Sequence, residues 1–272
     1  MNRELALCAD DFGHSAAVDR AILHLAARGR LSEVSCLVNA PAWPHDAGAL
    51  AALPAVAVGR LNLGLHFNLT EGRPLSPALA RQWPRLPSLH SLIARAHLRR
   101  LPLAALADEL AAQLGAFERF AGRPPAHIDG HQHVHHLPGV RELLLQLLAA
   151  RPGLRARHTG RVTGPGFAIK RLLIAATGGA ALGRRLEGLG RQANTTLLGV
   201  YDFARSDYRA LMQQWLAALP PRGGLLFCHP GEPGGVADDP IAAARVREWG
   251  YLDSDDFAAD LAAHGVRLAR AG

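Results

Sequence analysis

Three short motifs carry most of the reactive side chains of this sequence: Cys8-Ala9-Asp10-Asp11-Phe12-Gly13, Gly64-Leu65-His66-Phe67-Asn68 and His127-Ile128-Asp129-Gly130-His131-Gln132-His133. Each ends an apolar run. Two adjacent carboxylates, one isolated His and one His/Asp-rich segment can together supply a metal site and leave a carboxylate for proton transfer, which is the equipment of a hydrolase. Successive side chains at a strand end point different ways, so one of Asp10 and Asp11 can bind a cation while the other faces a substrate. The alternative for such a pair is a solvated turn or a helix N-cap, which Gly13 also suits. Taken alone, His66 reads as a hydrogen-bonded core residue. His127, Asp129, His131, His133 and His135 recur with period two, so on an extended segment they share one face. A face of four His and one Asp is costly to bury unless something such as a metal satisfies it. Not all five can be ligands; the others are expected to orient ligands from behind.

The elements that must position these groups alternate. Residues 5–9 read as a strand and 15–27 as a helix stopped by Gly29. Residues 34–38 form a short apolar run, followed by a helix at 45–53 and a strand at 61–65 that ends at His66. Residues 71–102 are proline-rich without a clear period and read as a long loop with a short helix near 89–98. The spacing predicts a helix over 103–120, a strand at 127–129 and a helix at 140–149. Residues 151–200 are hard to assign; within them 167–189 is apolar, Gly-rich and basic. It reads as a core or interface helix, or as an inserted helical pair over the site. The remainder reads as helix 208–219, strand 224–228, a Pro/Gly-rich loop bearing His229, helices 240–249 and 257–264, and strand 266–268. Strand and helix in repetition predict a parallel sheet with helices outside, an α/β fold whose chemistry gathers at the C-terminal ends of the strands.

A chain of 272 residues, 49% hydrophobic and 19% charged, can bury a large core. No repeat, low-complexity segment or boundary divides it, so one catalytic domain over 1–272 is expected. The net charge of +7 suggests acidic partners, but Lys170 is the only lysine, and the heavy use of Arg with Ala, Leu, Gly and Pro looks compositional. No block of like charge appears, which argues against nucleic acid. Cys8, Cys36 and Cys228 are scattered and odd in number, as expected of buried free thiols in a reducing, cytoplasmic setting. The N-terminal residues lack the charged lead and long apolar core of a secretory leader, and no run is long enough to span a bilayer.

The motifs Ala9-Asp10-Asp11-Phe12-Gly13, Gly64-Leu65-His66 and Asp129-Gly130-His131-Gln132-His133-Val134-His135 resemble those of the YdjC-like carbohydrate deacetylases, a family that includes diacetylchitobiose and hopanoid-biosynthesis-associated deacetylases. Phe227-Cys228-His229-Pro230-Gly231, Asp239-Pro240 and Tyr251-Leu252-Asp253-Ser254-Asp255 match as well, so the resemblance covers almost the whole chain. It implies a distorted (β/α) barrel, one divalent cation (zinc or magnesium) and hydrolysis of an N-acetyl group on an amino sugar. Carried over residue by residue, the metal ligands would be Asp11, His66 and His131. Asp10 would be the general base, and His229 the acid or oxyanion partner. Gly130 departs from a Ser common in relatives. The expected partner is an N-acetylated sugar or glycolipid; peripheral membrane contact and oligomer formation stay open. Rival expectations are a metal-dependent phosphoesterase, which would want a second metal and more bridging carboxylates, a deformylase on a related barrel, and a non-catalytic metal-stabilised binding protein.

Overall fold

The computed structural model describes residues 3–236 and 238–269. Its sheet contains eight parallel strands: β1 (Arg3–Phe12), β2 (Glu33–Cys36), β3 (Asn62–Phe67), β4 (His127–Gly130), β5 (Arg155–Ala156), β6 (Leu197–Leu198), β7 (Gly224–Cys228) and β8 (Val266–Leu268). The order is β5-β4-β3-β2-β1-β7-β6, with β8 also on β1. Parallel bridges at Ala156–Gln192 and Val162–Leu197 link β5 and the loop after it to the segment containing β6. The result is the expected distorted α/β barrel, with helices packed outside parallel strands.

Strand alternation sorts the side chains into two populations. Leu5, Leu7, Ala9, Val34, Cys36, Leu63, Leu65, Phe67, Ile128, Ala156, Leu226 and Cys228 belong to the large core between sheet and helices. Their sequence neighbours face the other way. On one side of the interior these are Cys8, Leu197, Leu225 and Phe227, a small apolar cluster. On the other they are Glu33, Ser35, His66, His127 and Asp129, all buried and polar. Gly64 gives the room this requires: a Cβ there would lie 2.2 Å from Nε2 of His127 on the neighbouring strand.

Most predicted elements recur with shifted ends. Ser15 caps helix Ala16–Ala27 by accepting from the Val18 amide. Helix Leu103–Ala121 buries Leu106, Leu110, Leu114 and Phe117, and Phe117 stacks on Trp43 at 5.9 Å. The segment 71–102 holds two helices, Pro77–Gln82 and Leu89–His97, each started by a Ser cap, where one had been expected. Segment 167–189 is an inserted helical stretch: Ala168–Ile174, a π turn at Ala175–Gly179 and Ala180–Leu189. Its second half buries Leu182 and Leu186, whereas its first half sets only the half-buried Phe167 and Ile174 against the core. The two-residue strands β5 and β6 were not foreseen, being too short to show a period. No helix of the described residues is long and apolar enough to cross a membrane.

Candidate active site

The site lies where β1, β3 and β4 end. Asp10 and Asp11 form the last turn of β1, where pairing with β2 becomes irregular between Ala9 and Phe12. Asp11 sits at φ 71°, a left-handed conformation that an Asp tolerates at some cost. That twist separates the two carboxylates. Asp11 Oδ1 lies 3.0 Å from His131 Nδ1 and 3.4 Å from His66 Nε2, whereas Asp10 faces the guanidinium of Arg157.

His131 reaches the site by a break in the backbone. β4 stops at Gly130, and Gln132 and His133 both take positive φ values inside a tight turn over His131–His136. The expectation that His127 through His135 share one extended face therefore fails: extension ends at Gly130, and the imidazoles scatter to different partners. His127 Nε2 donates to Ser35 Oγ at 2.9 Å. His135 Nε2 lies 3.1 Å from the Arg157 carbonyl, and His136 bonds Thr159 and Thr177. Burial lowers the pKa of His133, His135 and His136, so these rings are neutral.

His66 is aimed from behind. Its Nδ1 is 2.6 Å from Asp129 Oδ1, which leaves Nε2 turned toward Asp11. Ser35 donates to the other Asp129 oxygen at 2.7 Å. Arg157, fully buried, makes a two-pronged bond to Asp10, both distances 2.7 Å, and also ion-pairs with Asp129. Against full burial, Arg157 and His66 hold the Asp129 carboxyl well below the usual carboxylate range. A second arginine, Arg245, donates to Asp11 Oδ2 at 2.8 Å and to Asp239 at 2.6 Å. Burial opposes ionisation of Asp11, but Arg245 and His131 hold its pKa well down. Sequence reasoning missed both arginines, because nothing in a local run of residues marks an Arg as buried. It also missed Glu71, 3.0 Å from His131 Nε2.

Asp11, His66 and His131 offer three buried donor atoms within 4.8 Å of one another. Two imidazoles and a carboxylate suit a divalent cation. The protonation chemistry points the same way: burial would lower the histidines, yet the surrounding carboxylates raise His66 to about 10 and His131 to about 9. The pocket thus favours positive charge between its carboxylates. The cluster of Cys8, Asp10 and Asp129 differs, since the Arg157 guanidinium already supplies its cation.

His229 follows β7. Its amide donates to Glu248 at 2.5 Å, which also accepts from Tyr201 at 2.5 Å. Its ring packs edge-on against Phe203 and Phe227. Burial lowers its pKa to about 4 against the pull of Asp11 and Asp10. Asp10, Asp11, His66, His131 and His229 all line one cavity of about 800 Å³. The structure therefore brings all five expected site residues together, Asp10, Asp11 and His66 on strands, His131 in the turn after β4 and His229 just past the end of β7.

Carboxylates and imidazoles gathered on one cavity wall at the C-terminal ends of parallel strands define a (β/α)-barrel enzyme. The family model described as YdjC-like protein matches residues 4–263, and the chain belongs to that family. It is 31% identical to the carbohydrate deacetylase of Mus musculus across 97% of this chain and 92% of that one. It is 36% identical to the chitooligosaccharide deacetylase of Enterobacter sp. (strain 638), across 58% of this chain and 60% of that one. A putative cellobiose-phosphate cleavage protein from Enterococcus faecalis V583 shares the fold, with TM-score 0.73 at 21% identity over 99% of this chain and 98% of that one.

Proposed function

We propose that the protein is a carbohydrate N-deacetylase, dependent on one divalent cation, which removes the acetyl group of an amino sugar carried on a small saccharide or glycolipid. The observation that carries this reading is the convergence of Asp10, Asp11, His66 and His131 on one cavity wall, in a chain whose relatives bear deacetylase names. Asp11, His66 and His131 would hold the cation. Bound there, it supplies Lewis acidity toward the acetamide carbonyl and makes water more acidic. Imidazole donors favour zinc over magnesium, which prefers oxygen.

The chain's own groups do the rest. Asp10, its orientation set by Arg157, takes the proton of the attacking water. Asp129 keeps the His66 ring in one tautomer through its Nδ1 bond. His229, neutral at pH 7, donates an N–H to the oxyanion of the tetrahedral intermediate, or passes on to the departing amine a proton first received from Asp10. The C–N bond breaks as the amine leaves with that proton, giving acetate and a free amino sugar. Residues 1–272 act as one catalytic unit, and three buried free cysteines support a cytoplasmic setting.

The test is acetate release from an N-acetylglucosamine disaccharide, an N-acetylglucosaminyl lipid and long chitin at equal acetyl concentration. Release from the disaccharide or the glycolipid is expected; none from any of the three would overturn the reading.

A further inference from the structure

Helix Ala168–Ile174 buries none of its residues although most are apolar. Ile169 is 77% exposed, Leu172 68% and Leu173 57%. Exposed aliphatic side chains concentrated on one short helix mark an interaction surface. Next to it ends helix Leu89–His97: His97 Nε2 is 3.2 Å from the carbonyl of Thr177, in the π turn that continues Ala168–Ile174. The chain just beyond His97 exposes Leu98 and Leu103. Both segments contribute to the cavity wall, Leu89 and Ile93 from one, Leu173 and Ile174 from the other. The apolar face is thus the rim of the substrate cavity.

The charge of the same two segments is one-sided. Residues 72–107 and 143–186 contain fourteen of the thirty basic residues and none of the twenty-three acidic ones. The rest of the chain holds all twenty-three acidic residues against sixteen basic. The excess of basic residues thus falls in the segments that include the rim, although Arg151, Arg157 and Arg161 within them are paired with carboxylates from outside. Arg95, Arg99, Arg100, Arg184 and Arg185 are exposed and form no ion pair among the described residues.

We infer that this rim docks on an anionic lipid bilayer, with Ile169, Leu172 and Leu173 entering the interface and the arginines meeting lipid phosphates. Apolar side chains beside cations without ion pairs fit that surface, the carboxylate on the same inserted helix, Glu187, being already paired with Arg161: the aliphatic groups gain by leaving water, and each cation near a negative membrane adds attraction. A neutral partner would leave the cations unanswered. Docking does not depend on the deacetylase reading. Only its consequence does, namely that the cavity opens toward amino sugars displayed on lipid.

The experiment is co-sedimentation of the full chain with vesicles of phosphatidylcholine alone and of phosphatidylcholine mixed with phosphatidylglycerol, at low and high salt. Binding at least about tenfold stronger to the mixed vesicles is expected, weakened by salt. The pairs Ile169→Glu with Leu172→Glu, and Arg184→Glu with Arg185→Glu, should each lose about tenfold of it. None of these four residues lines the cavity, so melting temperatures and acetate release from a soluble disaccharide should stay at wild-type levels. Equal partition into both vesicle types, or undiminished binding by both variants, overturns the proposal. So does a concentration-dependent dimer that Ile169→Glu with Leu172→Glu dissociates, which would assign the face to a second copy of the chain.

Discussion

Asp10 and Asp11 are adjacent in sequence and differ in partner, and that difference defines their proposed roles. Asp11 gives one oxygen to Arg245 and the other to two imidazoles; Asp10 gives both to Arg157. Two variants separate these roles. His131→Ala should lose the bound cation, measured by elemental analysis of the purified protein, and activity with it. Asp10→Asn should retain the cation while turnover falls by about 10²–10⁴, because an amide cannot accept the proton. Full metal occupancy in His131→Ala, or near-normal kcat in metal-loaded Asp10→Asn, would reverse the assignment. Replacing His229 by Ala should slow an amide far more than an activated ester if the ring delivers a proton; equal losses would leave it the oxyanion contact alone.

At the scale of elements, the strands work by alternation and the site by its interruption. Gly64 on β3 leaves space for the His127 ring on β4, so Gly64→Ala should destabilise by about 1–3 kcal/mol. Gly188→Ala, where a Cβ meets nothing within 4 Å, should not. Thermal melting of the two variants checks the contrast. The junction of β1 with the first helix carries a pH dependence. Asp19 Oδ1 accepts from the Gly13 amide at 2.6 Å, yet burial, against that bond and with Asp46 adding to it, raises the Asp19 pKa to about 8. An unfolded Asp titrates near 3.9. The protonated form is therefore favoured by folding, and the stability it contributes, complete below about pH 4, is lost as pH rises toward 8. From about pH 6 to about pH 8 the loss is roughly 2 kcal/mol. Asp19→Asn should flatten the fall in melting temperature over that range; an identical fall in both proteins would refute the shift.

For the whole molecule, the cavity sets the size of what can bind. A cavity of about 800 Å³, walled on one side by the first inserted helix, suits a short saccharide better than a polymer that must leave at both ends. Equal turnover of long chitin and the disaccharide would contradict that geometry. Charge is also a property at this scale. Arginine in place of lysine is a matter of composition, but the clustering of unbalanced arginines in two segments far apart in sequence shows only when the segments are counted together.

Much of the fold was legible in the sequence. Period and punctuation announced most strands and helices, because a strand packed between helices must be apolar on one side and a surface helix must repeat near 3.6 residues. The end of each apolar run located Asp10, Asp11, His66, His131 and His229, since catalytic groups of parallel sheets stand at strand ends. What those residues face is decided by tertiary structure alone. The turn after Gly130 breaks the period-two pattern and sends one histidine to Asp11 and the others elsewhere. Arg157 and Arg245 join carboxylates 147 and 234 positions away in the chain, and no local pattern records such a pairing. β5 and β6, two residues each, owe their existence to neighbouring strands, because so short a segment has no preference strong enough to form unaided.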